Sequence, residues 1–382
     1  FGAIKEVLEP LPHKKGTALT PLIEELHAVL KENTGSEREY KRYLDGLKAS
    51  VLTAFYTPEP VTDAIMRKLY NAGVVPVYAL EPSAGTGAFA EYLRRYNEEA
   101  EITCFEKDPL TGLILHRLHP DDTVRVQGFE TIEPAYEGHF DLITSNIPFG
   151  DVSLFDPAFS SSRDPVRRQG AWAIHNYFFM KSVDLVRDGG LVAFITSQGM
   201  ADAERNRPVR EWLMERCDLI AAVRLPNNLF TDHAGTEVGS DLIILQKNSG
   251  KNGELYYNEK LFVQTEQTPI GTSVNGYVWS IGSLSHTDLI RSTDPYGKPA
   301  YKLLHCGDIA QLAEDLREHL KIELQQLDRK LYERHRLHPT KEESMAAEVQ
   351  PAPKTEKVSP SVIAPVSVIE PVKGCLLYTS PS

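Results

Sequence analysis

Val77-Tyr78-Ala79-Leu80-Glu81-Pro82-Ser83-Ala84-Gly85-Thr86-Gly87 carries the transition on which the fold turns. Val77–Leu80 reads as a short apolar strand and Gly87–Arg95 as a helix. Between them, Gly85 and Gly87 let the backbone turn sharply and approach a ligand with no Cβ in the way. Free N–H groups at the start of the following helix suit a negatively charged group, and Glu81, at the strand's end, offers an acceptor to an ammonium. A G-x-G after a strand is equally well a plain tight turn, so the surroundings decide its meaning.

Those surroundings alternate. Ile102–Phe105, Thr123–Val126 and Asp141–Ser145 read as strands, Ala171–Val186 as a helix ended by Asp188-Gly189-Gly190. Leu191–Thr196 is a strand, Val209–Arg216 a helix, and Leu219–Leu225 and Leu242–Gln246 are strands. Alternation of this kind predicts an α/β fold, a mostly parallel twisted sheet with helices on both faces. Upstream, residues 1–56 form a helical lead-in, with Thr20-Pro21 opening one helix and a second expected over Arg38–Leu52. Thr57-Pro58 opens another, with Val61, Ile65, Met66 and Leu69 on one face. The catalytic unit is expected over 57–250. A mixed, Gly-rich extension follows over 251–338, which the pattern does not place until Ile309, Leu312, Leu316, Leu320, Leu324, Leu327 and Leu331 mark one long amphipathic helix. Residues 339–374 have the Pro-rich composition of a linker, which normally leads to a further module. The octapeptide 375–382 resembles a translated sequencing adapter, so the native reading frame is expected to run through Gly374 and to be truncated at both ends.

Composition narrows the function classes. The 382 residues are 41% hydrophobic and carry a net charge of −12. No apolar run reaches the ~20 residues of a membrane span, and no signal peptide is evident. Cys104, Cys217, Cys306 and Cys375 stand apart, without a C-x-x-C pair, which fits a reducing cytoplasm. The twelve histidines show no ligand spacing, so no metal is expected. There is no P-loop and no nucleophile elbow. The acidic balance weighs against a nucleic-acid partner, but residues 101–150 alone contribute −6 of it, whereas 151–200 are neutral and bear Arg163, Arg167 and Arg168. With Arg205, Arg207 and Arg210 these are candidates for phosphate contacts; a solvated loop around Ser160-Ser161-Ser162 is the equal alternative. Trp172 and Tyr177 are expected in the core.

Two further signals carry chemistry. Glu106 ends the second strand, 21 residues after Gly85, where a Rossmann-like fold holds ribose hydroxyls; a solvated Glu in Glu106-Lys107-Asp108 is the alternative. Asn146-Ile147-Pro148-Phe149 follows the strand Asp141–Ser145, at the sheet end where doubly wound folds place active sites. An exocyclic amine on an aromatic ring is a poor nucleophile because its lone pair is delocalised. The Asn146 oxygen and the Ile147 carbonyl would accept its hydrogens and steer the nitrogen toward tetrahedral geometry. Pro148 would stiffen the turn and Phe149 would stack on the ring. Methyl transfer from a sulfonium is an in-line displacement and asks for little beyond positioning.

Glu81-Pro82-x-x-Gly85-x-Gly87, then Glu106, then Asn146-Ile147-Pro148-Phe149, with Ala54-Phe55-Tyr56-Thr57-Pro58 upstream, resembles the S-adenosylmethionine-dependent N6-adenine DNA methyltransferases. The motif order is similar to that of the gamma class and of type I restriction modification subunits. Ile174–Phe179, Asp188–Leu191, Thr196–Gly199 and Asp294–Lys298 resemble the large methylase–helicase proteins of mobile elements. The resemblance covers roughly residues 50–300. It implies a Rossmann-like class I methyltransferase fold, S-adenosylmethionine as cofactor, DNA as partner and a helicase module in the full-length chain. It further implies that Phe55, Thr57, Glu81, Pro82, Ser83, Gly85, Gly87 and Glu106 bind cofactor. Asn146, Ile147, Pro148 and Phe149 would hold a flipped adenine. Two positions depart from the pattern. Ile147 stands where Pro is usual, in a role that asks only for a backbone carbonyl. Gly128 stands where many relatives place an Asp or Asn for the cofactor's adenine amine, leaving Phe129 to stack on that ring. The competing readings are a methyltransferase of RNA guanine or protein glutamine, and a DNA-docking module that has lost its cofactor.

Overall fold

A computed structural model of the chain describes residues 20–44, 56–150, 152–231, 237–294 and 297–334, all within one compact unit, Phe1–His338. The expected segments 57–250 and 251–338 share that unit. The linker and the tail lie outside the described residues. Among the described residues no helix is long and apolar enough to cross a membrane.

Seven strands make the main sheet: β1 (Tyr78–Glu81), β2 (Glu101–Phe105), β3 (Thr123–Arg125), β4 (Phe140–Asn146), β5 (Val186–Ser197), β6 (Cys217–Leu225) and β7 (Ser240–Lys247). Their order is β3-β2-β1-β4-β5-β7-β6. The first five are parallel; β7 runs antiparallel to both β5 and β6. This is the doubly wound α/β sheet that the alternation predicts, and its order reverses between β1 and β4, where such sheets open a ligand crevice.

The longer helices are α1 (Thr20–Asn33), α2 (Glu59–Asn71), α3 (Ala88–Tyr96), α4 (Pro109–Leu118), α5 (Pro165–Gly170), α6 (Ile174–Leu185), α7 (Arg207–Met214), α8 (Tyr257–Val263), α9 (Ile309–Glu323) and α10 (Arg329–Arg334). Neighbouring strand residues point to opposite faces, and both faces are covered. Ala79, Leu142, Ala193 and Ile244 join one core with Val61, Ile65 and Leu69 of α2, Phe89 and Leu93 of α3, and Leu312, Leu316 and Leu320 of α9. Leu80, Ile143, Phe194 and Leu245 join the other with Tyr177, Phe179 and Val183 of α6, Val209 and Leu213 of α7, and Phe262 of α8. Burial on two sides explains why these strands read as continuous apolar runs.

The stretch 250–300, unplaced from sequence, contains α8 and two small ribbons. They are β8 (Thr265–Gln267) with β9 (Ser273–Asn275), and β10 (Thr287–Thr293) with β11 (Pro299–His305). The single long helix expected over 309–331 is a correction. It stops at Glu323, passes through a tight turn and resumes as α10. The break has a tertiary cause. The buried Gln246 amide grips the backbone of Asp328, accepting from its N–H (3.0 Å) and donating to its carbonyl (2.9 Å). Residues 324–334 thereby become a strap across the amino-terminal rim of the sheet. Gly189, at φ +77°, lets that strap in, because a Cβ there would collide with the Leu331 carbonyl. Gly189→Ala is expected to destabilise the fold by about 2 kcal/mol, from the left-handed backbone and the displaced strap. Thermal unfolding indistinguishable from the parent would contradict this account.

Candidate functional site

β1, β2, β3 and β4 all end at the carboxyl rim, and their loops converge there. Ala84 N–H bonds the Phe105 carbonyl at 2.9 Å. The Ser145 hydroxyl donates to the Ser83 carbonyl at 2.9 Å, tying the end of β4 to the turn after β1. Gly85 and Gly87 have φ of +56° and +89°, conformations that other residues adopt only with strain. The Tyr56 ring lies against Gly85, 3.2 Å from the position a Cβ would take. His119 occupies the equivalent space at Gly87.

The acidic residues of the turn hold its backbone. Glu81 is fully buried, and its carboxylate accepts from Ala90 N–H at 2.8 Å and Phe89 N–H at 3.4 Å, at the start of α3. Burial pushes its pKa well up, against the pull of those two donors. The acceptor expected to face an ammonium therefore anchors the helix that the cofactor turn precedes. Glu106 takes Gly85 N–H at 2.8 Å and Asp108 N–H at 2.7 Å; burial raises its pKa while these donors lower it. It joins the turn after β1 to the end of β2. Pro82 is buried and Ser83 half-buried under the same turn. Phe55 lies outside the described residues. Thr57 is buried, and its hydroxyl has no hydrogen-bond partner among the described residues.

Phe129 is a correction. It is 2% exposed, with its ring centre 5.0 Å from that of Phe178 and 6.0 Å from that of Phe105. It is a core side chain and presents no face for stacking. The space that a side chain at Gly128 would fill is taken by the Glu130 carboxylate, whose nearest cation is the exposed Lys107 at 3.8 Å.

At the end of β4, Asn146 pairs with Ile195 of β5. Ile147 N–H bonds the Ile195 carbonyl at 3.0 Å, and its side chain is 1% exposed. Ile147 thus serves as the loop's anchor in the core, through an N–H that proline lacks and a buried side chain. Pro148 and Phe149 are half-buried, and Phe149 meets the edge of Phe230 at 6.2 Å between ring centres.

The arginines divide. Arg167 is a correction: it is held bidentately by Asp184 at 2.7 and 2.8 Å and lies over the Phe159 ring. Arg210 is fully buried and donates to the carbonyls of Val263, Met200 and Ala203, so it staples helices together; burial pulls its pKa down to about 10. Arg163, Arg168, Arg205 and Arg207 are exposed. Arg207 is shared with Glu204 and Glu211. The chain leaves β4 and β5 at the carboxyl rim, so the segments bearing these residues lie on that rim. A Gln169 side-chain bond to the Arg205 carbonyl (3.3 Å) joins them. Tyr177 is buried as expected, but Trp172 is 68% exposed and Phe155 76%. Both stand on the segment following the Asn146 loop, and only their burial distinguishes them from core aromatics.

The family described as N-6 DNA Methylase matches residues 47–269. Among curated proteins, the chain is 28% identical over 215 residues to "Defense against restriction protein B" of Escherichia phage P1. It is 26% identical over 188 residues to the type II methyltransferase M.XamI of Xanthomonas campestris pv. amaranthicola. It is 23% identical over 251 residues to the methylase subunit of the type I restriction enzyme EcoEI of Escherichia coli. These matches take in 55%, 46% and 58% of this chain and 9%, 36% and 49% of the three proteins, so the chain spans less than half the length of each.

Proposed function

Since the chain belongs to the N-6 DNA methylase family, we propose that it transfers the methyl group of S-adenosylmethionine to the N6 amine of an adenine turned out of a DNA duplex. The observation that carries this reading is the bond from Ser145 to Ser83. It locks the glycine turn and the Asn146–Phe149 loop side by side, so a donor held by one faces an acceptor held by the other.

The residues at the rim suit the cofactor. Thr57 brings a buried hydroxyl without a hydrogen-bond partner among the described residues, and Tyr56 forms a wall beside the Gly85 backbone. Glu106 stands at the ribose position and Glu130 supplies an acceptor for the adenine amine. When bound, the cofactor offers an electrophilic methyl on a sulfonium. Asn146 Oδ1 and the Ile147 carbonyl accept the two hydrogens of the target amine, so the nitrogen lone pair leaves conjugation and points outward. After transfer the nitrogen sheds its extra proton along those same hydrogen bonds toward solvent. Phe149 holds the ring plane, and the anchored Ile147 keeps the loop from yielding.

The Glu130 carboxylate beside Gly128 argues against a docking module that has lost its cofactor. Glu130→Ala is expected to weaken binding of S-adenosylhomocysteine about tenfold, the scale of one charge-assisted hydrogen bond. The variant should bind the deaminated, inosine-containing analogue as the parent does. Calorimetry with both ligands checks this; an equal loss for both would remove Glu130 from amine recognition.

On the DNA side, exposed Trp172 and Arg168, both on the segment that follows the Asn146 loop, are the aromatic and basic candidates. Stacking on a base is worth about 1–3 kcal/mol. Trp172→Ala should weaken duplex binding at least fivefold, whereas Arg168→Ala should also lower the salt dependence by about one counterion. Titrations at several salt concentrations separate the two effects. Transfer of labelled methyl to duplex DNA, RNA and ribosomal protein in parallel tests the acceptor class; label on RNA or protein alone would overturn the DNA reading.

A further inference from the structure

Three residues from separate parts of the C-terminal region meet at the base of the β10–β11 ribbon. His286 precedes β10, His305 closes β11 opposite Thr287, and Asp315 lies on α9. Asp315 Oδ2 is 2.8 Å from His286 Nδ1 and 2.9 Å from His305 Nε2. The three ligating atoms fall within 4.8 Å of one another. From this convergence we infer that His286, His305 and Asp315 form a zinc site, with three protein ligands and a fourth position open to water.

The donor set suits the ion, since imidazole nitrogen and carboxylate oxygen are ordinary zinc ligands. Each buried ligand is also backed by a second contact, as metal ligands characteristically are. His305 Nδ1 lies 3.2 Å from the Gly307 carbonyl. Gly307 N–H also points at Nδ1 from 3.0 Å, so turning Nε2 to a metal exchanges that bond for donation from Nδ1 to the carbonyl. The second oxygen of Asp315 accepts from Gln311 Nε2 at 3.0 Å, which leaves Oδ2 for coordination. His286 is, among the described residues, the only non-glycine with positive φ, at 51°. Such a conformation is strained for a residue with a Cβ and here brings Nδ1 onto Asp315. Its carbonyl is held by Cys306 N–H at 2.9 Å.

Access favours one open face. The side chains of His305 and Asp315 are 1% and 7% exposed, that of His286 61%. The ion would enter past His286, and since two ligands around a tetrahedral zinc stand about 3.3 Å apart, the His286 and His305 contacts with Asp315, at 2.8 and 2.9 Å, would each open by about half an ångström. An octahedral iron site with the same ligand types needs several open positions, and two buried ligands do not leave them. Exposed Cys306 bonds Asp288 at 3.3 Å and stands outside the set.

The site has a place in the larger structure. Leu303 N–H donates to Asn227 Oδ1 at 2.8 Å, and His305 exchanges bonds of 3.0 and 3.1 Å with the Asn228 amide. That turn carries Phe230, which meets Phe149. A metal at the ribbon's base would pin the ribbon to α9 and stiffen the wall beside the Asn146 loop. The ligands are 19 and 10 positions apart in sequence, so no short spacing betrays them.

The test uses the full chain, stripped with chelator. Calorimetric titration with Zn²⁺ is expected to show one equivalent bound at micromolar affinity or better. Co²⁺ should give the intense visible absorption of a tetrahedral site. His286→Gly removes one ligand and relieves the positive φ, so it folds. It should bind at least tenfold more weakly and lose the zinc-dependent rise in Tm seen in the parent. Cys306→Ser should behave as the parent. No zinc binding below 100 μM, or equal binding by His286→Gly, would overturn the site.

Discussion

Asn146→Ala is expected to lower methyl transfer to duplex DNA by about 10²–10³-fold, the scale on which removal of one preorganised polar group at a reacting centre is felt. Affinity for S-adenosylhomocysteine should stay within about twofold of the parent. The separation of effects follows from the architecture. Asn146 is the last residue of β4, and the loop after it is fixed by the Ile147 N–H to the Ile195 carbonyl and by the buried Ile147 side chain. Truncation at 146 therefore removes the amide oxygen without releasing the loop. The glycine turn is tied through the Ser145 hydroxyl. Asn146→Asp keeps an acceptor oxygen and should retain more activity than the alanine variant. Single-turnover transfer of labelled methyl, with calorimetry on the product cofactor, measures both quantities. Unchanged transfer by the alanine variant would remove the loop from the reaction; parallel loss of transfer and cofactor affinity would move it to the cofactor side.

Asp141→Ala should cost about 3–5 kcal/mol of stability, the range found when one member of a buried ion pair is removed. Asp141 Oδ1 lies 2.6 Å from Arg187 Nε, with both side chains 3% exposed. Its other oxygen accepts from Val77 and Tyr78 N–H at 2.7 and 2.9 Å, at the start of β1. Arg187 in turn donates to the Tyr332 carbonyl at 2.7 Å. Removing the carboxylate strands a guanidinium and two amides in the interior and unties three chain segments at once. The urea midpoint should fall by about 1 M, and Asp141→Ala combined with Arg187→Met should recover part of the loss, because the uncompensated charge is gone. A single-variant shift below about 0.3 M would show that water reaches this pair.

The parts legible in the sequence are those whose cause is local. Strand runs, the glycine turn and the Asn146 loop state their conformation in consecutive residues, and a sheet buried on both sides writes its strands as apolar blocks. What escaped was set by distant partners. Arg167 reads as a free cation until Asp184, seventeen positions on, takes both its amine groups. Phe129 and Trp172 are both aromatics near turns, and only packing sends the first into the core and the second to the surface. The heptad-like run 309–331 describes one helix in isolation, but Gln246, from a different strand, breaks it. Gly128 reads as an empty position, but the Glu130 carboxylate, from two residues along, fills the space beside it.

The strap over the amino-terminal rim also sets how the molecule would respond to force. Tension applied at Arg334 would load the Gln246 grip on Asp328 and the Arg187 bond to Tyr332 one after another. Those contacts peel in sequence, whereas neighbouring strands of the sheet share load across many bonds. The strap would come away as a first, separate event while the carboxyl rim, on the far side of the sheet, kept its shape. A pull applied at Arg334 would thus be absorbed at the edge opposite the Asn146 loop.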